Sequence, residues 1–515
     1  MTIPPLGFDL DSLPANPEGR TRGESLSRPR RLTHLIGRTP RGQDNSTARD
    51  AAFFFFCLSA GGDIPMSMIK RRSIGSGFAL FTAWIVVGTS AFAVCPCDTP
   101  APAGQQSEQA KPQFDSEHYL TGDWFGFRNT LFDHGISITG SYTTEPAGNP
   151  IGGLRNGSTY LHNFGLEIGF DMDKLLCIPG AKFLVTASQR SGEGLTQEDI
   201  GNAISVQQIF GGGQTYRLIQ MRWDQQLLDD QVEFSLGRLS TTSDFFSSRF
   251  YCDFVMNGIC GQPTSPFFNM PNGITAYPAA YWGALALFRP TKETYIKSSV
   301  YDGDPNHGDD RHGANFGFGE NGVLTVTEIG YKSDACLFGL PGRYSFAGYY
   351  HSGDFPDVAE DAFMENLFVS GGTGRIHSGQ YGFYLIFEQM LLRNSGRDTG
   401  LNSFVTFVVS PDEDKSVMPF FVNAGLIWEG LIPCRPHDKL DLGFYSAVFS
   451  DRLRAGQHGA QLAGQTSETN LEVNYKVQIT PYLHVRPNIQ YVIKPNGLST
   501  IDNALVLGGE VGITF

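Results

Sequence analysis

The chain has 515 residues, among them 61 Gly, 40 Phe and 19 Tyr, yet only 41% are hydrophobic, a composition of tight turns and alternating rather than continuous apolar segments. A formal net charge of -14 excludes a nucleic-acid binder, because phosphate backbones need clustered Lys and Arg and no basic stripe lies outside the N-terminal leader. Length leaves the domain count open, since a large β-barrel runs as one domain at this size.

In chain order, the first organised feature is residues 68–93, MIKRRSIGSGFALFTAWIVVGTSAFA. Lys70, Arg71 and Arg72, a short apolar run and Ala91-Phe92-Ala93 predict a Sec-type signal peptide cleaved near Ala93. A transmembrane anchor is the competing reading, but the run is short and ends in small residues rather than a stop-transfer cluster. A lipoprotein site at Cys95 is disfavoured by Val94, which is larger than such sites prefer. Signals of this kind belong at a chain start. Residues 1–67, Arg- and Pro-rich without a core pattern, are therefore expected to be a non-native N-terminal extension, with Met66 or Met68 as the start. Residues 94–118, including TPAPAGQQSEQAKPQ, read as a flexible periplasmic tail, which leaves 119–515 as the barrel domain.

Outside the extension, seven Cys remain: Cys95, Cys97, Cys177, Cys252, Cys260, Cys336 and Cys434. None has zinc-ligand spacing with partner His residues, so no metal is expected. Cys252 with Cys260 is the favoured bridge, closing a short loop exposed to an oxidising envelope.

Beyond the leader no apolar run is long enough to span a bilayer as a helix, so a membrane protein here must be a closed barrel. Alternation predicts strands near 136–149, 160–171, 182–190, 216–226, 232–239, 279–288, 294–302, 323–332, 343–352, 380–391, 402–410, 419–429, 439–449, 469–480, 482–494 and 504–515. Sixteen is an even count, as single-chain outer-membrane barrels require. Short connections at Asp229-Asp230, Pro290-Thr291 and Pro481 alternate with long ones around 191–215, 240–278, 303–322, 353–379 and 450–468, the order of periplasmic turns and extracellular loops. The segment 323–332 is poorly patterned, and Pro487 inside a strand calls for a bulge or a rim position. A soluble sandwich alternates in the same way with its apolar face inward, so alternation by itself leaves both open.

The last segment, ALVLGGEVGITF, ends an alternating strand on Phe515 and resembles the outer-membrane assembly signal, which implies the barrel assembly machinery as a partner. LTGDWFGFRNTLFDHGISI, FSLGRLSTTSDFF, YCDFVMNGICGQP, YPAAYWGALALF and YIKSSVYDGDP, taken in that order, resemble the OprB carbohydrate-selective porins over residues 119–515. The resemblance implies an all-β, sixteen-stranded transmembrane barrel in the outer membrane, in contact with its lipids and lipopolysaccharide. It implies a loop folded into the lumen, and passive diffusion of monosaccharides and similar small neutral sugars. It brings no catalytic residue and no cofactor.

Strand parity turns Arg190, Arg222, Asp224, Glu472, Lys476, Arg486 and Lys494 toward the bore, since a Lys or Arg facing lipid at the midplane costs ~2–4 kcal/mol. The bland alternative for each is a charge paired across the wall that never meets a solute. Residues 240–278, with Arg249 and the two bridging Cys, are the candidate inward-folded loop; the alternative is an extracellular loop packed on the barrel mouth. Arg238 falls on the apolar face of Val232, Phe234 and Leu236, so either Gly237 redirects it into the bore or it lies beyond the lipid. YDGDPNHGDD fails as a calcium loop, because His307 stands where the turn needs Gly. An outer-membrane enzyme and a secreted polysaccharide-binding β-protein remain as alternatives, the first weakened by the lack of any G-x-S-x-G elbow.

Overall fold

The computed structural model describes residues 114–210, 215–261, 263–271, 273–304, 313, 316–319 and 322–515. The predicted extension, the signal peptide, Cys95, Cys97 and the tail up to residue 113 lie outside them. The strands are β1 Ile136–Gly153, β2 Ser158–Asp171, β3 Ala181–Gly192, β4 Tyr216–Leu227, β5 Val232–Leu239, β6 Tyr281–Phe288, β7 Thr294–Asp302 and β8 Val323–Ser333. They continue as β9 Gly342–Asp361, β10 Gly374–Arg393, β11 Gly400–Val409, β12 Phe420–Glu429, β13 Lys439–Val448, β14 Ser467–Thr480, β15 Leu483–Ile493 and β16 Asp502–Thr514. Each pairs with its neighbours in the chain, and β1 meets β16 antiparallel, with Tyr142 opposite Ile513, to close the barrel.

The two faces of this sheet are chemically inverted relative to a soluble protein. Along β14, Leu471 and Val473 are exposed while Asn470, Glu472 and Asn474 are buried. The same holds around the circumference, where Leu236, Phe288, Ile329, Phe346, Leu442 and Ile489 stand exposed on the outside. An apolar surface that encircles the molecule is a lipid-facing girdle, and it removes the secreted soluble reading. No helix among the described residues is long and apolar enough to cross a membrane; the strands do the crossing.

Three expectations change and one weakly patterned strand holds. The segment 353–379 is not a long loop: β9 and β10 each run for 20 residues and carry the hairpin up to residues 362–373. The segment 323–332, poorly patterned in sequence, does form the predicted strand as β8, with burial alternating up to Ile329. Pro487 causes no bulge: it faces outward opposite Gly509 and keeps register with β16. On its other side the ladder to β14 merely lapses between Asn474↔Asn488 and Val477↔Val485, where Pro487 supplies no N–H. Lastly, Lys494 lies past the end of β15, exposed and with φ 51°, so it belongs to the long-loop rim and not to the wall of the bore.

The interior is filled from the long-loop end. Residues 240–280 turn inward and bury Phe245, Phe246, Tyr251, Phe254, Met256 and Ile259 against Tyr349, Tyr384, Phe404, Phe421 and Tyr445 of the far wall. Residues 193–210, from a stretch expected as an extracellular loop, also fold in, burying Leu195, Ile200 and Val206 against Val492, Ala504 and Val506. Each fully buried aromatic or aliphatic side chain contributes about 1.5–3 kcal/mol, enough together to hold both segments inside an otherwise polar tube.

Candidate functional site: the narrowed bore

The backbone of each inward segment is anchored on wall carboxylates. Glu472 on β14 accepts N–H bonds from Val255 (2.9 Å) and Met256 (2.8 Å). Glu468, two repeats of the pleat away, accepts from Ala203 (2.6 Å), Ile204 (3.0 Å) and Asn496 (2.6 Å). A carboxylate on the inner wall meets backbone donors that have no sheet partner, and a charged acceptor gives the stronger bond. Ion pairs add to this, Lys439 to Asp253 at 2.9 Å and Arg222 to Asp244 and Asp224 at 2.6 Å each, and Arg343 donates a hydrogen bond to the Ser247 carbonyl at 2.9 Å. Cys252 and Cys260 are disulfide-bonded within the longer segment.

The predicted pore residues therefore divide. Glu472 and Arg486 point inward but are sealed under the loops, Arg486 paired with Glu510 at 3.1 Å. Arg222 and Asp224 point inward and are consumed in holding the start of the 240–280 segment. Lys476 points inward and is half-buried, and no hydrogen bond or ion pair reaches its ammonium among the described residues. Arg249 is exposed, its guanidinium 4.5 Å from the Phe250 ring, between Ser247 and Tyr251, which are both bonded to the inner wall. Asp441, Asn474 and Asn488 form a buried cross-strand row with carboxylate or amide atoms that no protein group engages, the chemistry of a wet interior and not of an apolar core.

Arg190 has the richest surroundings. It donates to Asn163 at 3.3 Å, its guanidinium lies 5.3 Å from the ring of Tyr277, and Glu145 and Arg217 are its charged neighbours. Arg238 joins them, buried beside Arg217 and donating to the Ala280 carbonyl at 2.9 Å and to the Gly313 carbonyl. Gly237, at φ 128°, makes the redirection that strict alternation forbids, and a Cβ there would sit 2.0 Å from the Met221 carbonyl oxygen. Arg217 was missed by parity, because it is five residues before the inward Arg222. A register shift between Val185↔Met221 and Ala187↔Leu218 inserts a residue into β4 and brings both inside. The signal was present: a strict strand would have turned Arg217 into lipid.

Five strands, β1 to β5, and a loop thus gather guanidinium forks, an aromatic face and acceptors on one part of the inner wall. One oxygen of Glu145 has no donor there. Such a set exchanges hydrogen bonds with a polyhydroxylated solute and stacks on its apolar ring face. Elsewhere, Asp357, His377 and Asp414 come within metal-ligand reach, but Arg452 donates to Asp357 at 2.9 Å and Arg375 stands 3.5 Å away, so guanidinium groups hold the position a cation would take.

Comparison with known proteins agrees with this architecture. Residues 155–515 match the family described as carbohydrate-selective porin, OprB family. Porin B of Pseudomonas aeruginosa is 27% identical over 435 residues, covering 80% of this chain and 94% of that one. The high-pH structure of Pseudomonas putida OprB superposes with a TM-score of 0.73 at 28% identity, over 78% of this chain and all of that one. A low-pH structure of the same protein shares the fold, with a TM-score of 0.51 at 23% identity.

Proposed function

As the chain belongs to the carbohydrate-selective porin family OprB, we propose that its bore passes small neutral sugars by diffusion past Arg190, Arg217, Tyr277 and Glu145. The observation that carries this reading is the pairing of arginine forks with a tyrosine face and a buried carboxylate oxygen that no donor engages. Arginines alone would favour anions. Glu145 beside them offsets that charge and supplies the acceptor that a sugar hydroxyl needs.

A diffusing solute must be held weakly. The contacts are those of rigid side chains already fixed by Asn163 and the 240–280 segment, so a sugar trades its water shell for them with little reordering. The exposed girdle meets outer-membrane lipid, with lipopolysaccharide at the long-loop end and the assembly machinery reading the strand that ends in Phe515. Export would follow cleavage near Ala93, so material from the outer membrane should begin near Val94 on N-terminal sequencing.

Liposome swelling tests the permeation reading. Vesicles containing the protein should swell faster in a neutral monosaccharide than in an anionic sugar acid of the same size, and Arg190→Ala, by removing a cation, should widen that difference. Equal swelling rates for the two solutes in the unaltered protein would contradict it.

A further inference from the structure

The N-terminal segment before β1 contains a cation, Arg128, held among three aromatic rings and three backbone carbonyls. Arg128 lies in the helix α1, Phe127–Asp133, and is 2% exposed. Its guanidinium stacks on Tyr119 at 3.7 Å from the ring centre, with the rings of Phe114 at 4.7 Å and Trp124 at 4.9 Å. From that cage it donates to the carbonyls of Gly122 (3.4 Å), of Ile138 on β1, and of Phe515 (2.9 Å), the last residue of the chain. The Leu120 N–H adds a bond to the Thr514 carbonyl at 2.8 Å.

We propose that Arg128 is a clasp that locks the seam between β1 and β16 at the short-turn end, and that it engages only when the C-terminal residue is seated. Two geometric facts support a dedicated device over incidental packing. One planar fork spans both strands of the seam, which joins residues 387 apart in sequence. The backbone also accepts three consecutive left-handed residues, Trp124 (φ 49°), Phe125 (φ 62°) and Gly126 (φ 91°), two of them non-glycine. That strain brings the Trp124 ring onto Arg128 while leaving Phe125 fully exposed, which no packing of the segment for its own sake explains. Residues 114–118, assigned to the tail from sequence, belong to the same assembly through Phe114.

A clasp of this kind discriminates by shape: lysine keeps the charge but loses both the fork and the flat stacking surface. Amide hydrogen exchange on the full chain in detergent, read on the seam pairs Ser141–Thr144 and Val511–Thr514 and on the β12–β13 pairs as an internal control, tests it. In Arg128→Leu and in Arg128→Lys the seam should exchange about 10-fold faster while β12–β13 is unchanged. Unchanged seam exchange, uniform acceleration around the barrel, or full rescue by lysine would each overturn the proposal. Should Arg128→Leu fail to fold, Tyr119→Leu keeps the guanidinium bonds and removes the nearest ring. It should accelerate the seam by a smaller factor, and no change there would count against the clasp. The test does not depend on sugar permeation, so the two readings fail separately.

Discussion

The two inward segments solve one problem in different ways. Residues 240–280 cross to the far wall and pack there as a hydrophobic core, with Phe254 and Tyr251 among the wall aromatics. Residues 193–210 stay on the near wall, with a small apolar contact and a denser set of polar anchors on Glu145, Glu468 and Glu510. The first gains its stability from burial, the second from wall carboxylates that meet its backbone N–H groups. Charges that an alternation argument assigns to the permeating solute are thus mostly spent on the loops, and the open lumen charge is left to residues such as Lys476 and Arg249.

The largest expected effect comes from removing the hydrophobic anchor. Phe254→Ala should cost about 3–5 kcal/mol, because Phe254 is fully buried between Phe404 and the glycines of β12 and β13. It should appear as a lower unfolding temperature in detergent and as noisier open-channel current. The equivalent cut in the polar segment, Glu468→Gln, should cost ~1–3 kcal/mol, since a neutral amide still accepts from part of the Ala203, Ile204 and Asn496 set. If the two losses were reversed in size, the contrast between a packed and a hydrogen-bonded segment would be wrong.

Charge selectivity sharpens the contrast from the other side. Lys476→Ala should shift the reversal potential toward cation preference, because an unengaged ammonium is taken from the lumen. Arg222→Ala should shift it less and disturb the current more, since that guanidinium is held by Asp224 and Asp244. Equal shifts would mean that the ion pairs do not screen Arg222.

The smallest effect lies at the opposite end of the barrel. In the turn before β13, burial raises the Asp438 carboxyl, but the Arg435 fork (2.9 Å twice), the Gln478 N–H and the Tyr475 hydroxyl outweigh it, so its pKa sits below the ordinary 3.8. A depressed carboxylate contributes stability above the ordinary value and loses it as pH falls through the lowered one. Asp438→Asn should therefore lower thermal stability by ~1 kcal/mol at pH 7 and show a flatter decline below pH 3.8 than the unaltered protein, checked by melting curves across that range.

How far the sequence carried is instructive. Strand number and nearly every boundary were legible because lipid on one side and water on the other impose period two at every strand, as β14 and β16 show. The inward loop around Cys252 was legible from its Phe content. The second inward segment was not, because Leu195, Ile200 and Val206 are sparse and their anchors, Glu145, Glu468 and Glu510, lie on strands remote in sequence. Arg217 was hidden by a single inserted residue in β4, and Lys494 was misplaced by extending the β15 alternation one residue past its end.

Single-channel current through the purified protein in a planar bilayer, with a neutral monosaccharide titrated in, reads whether sugar occupies the bore. Sugar held at the arginine and tyrosine cluster should give a saturable, concentration-dependent fall in ion current that weakens in Arg190→Ala. A fall that only tracks solution viscosity, identical in both proteins, would contradict it.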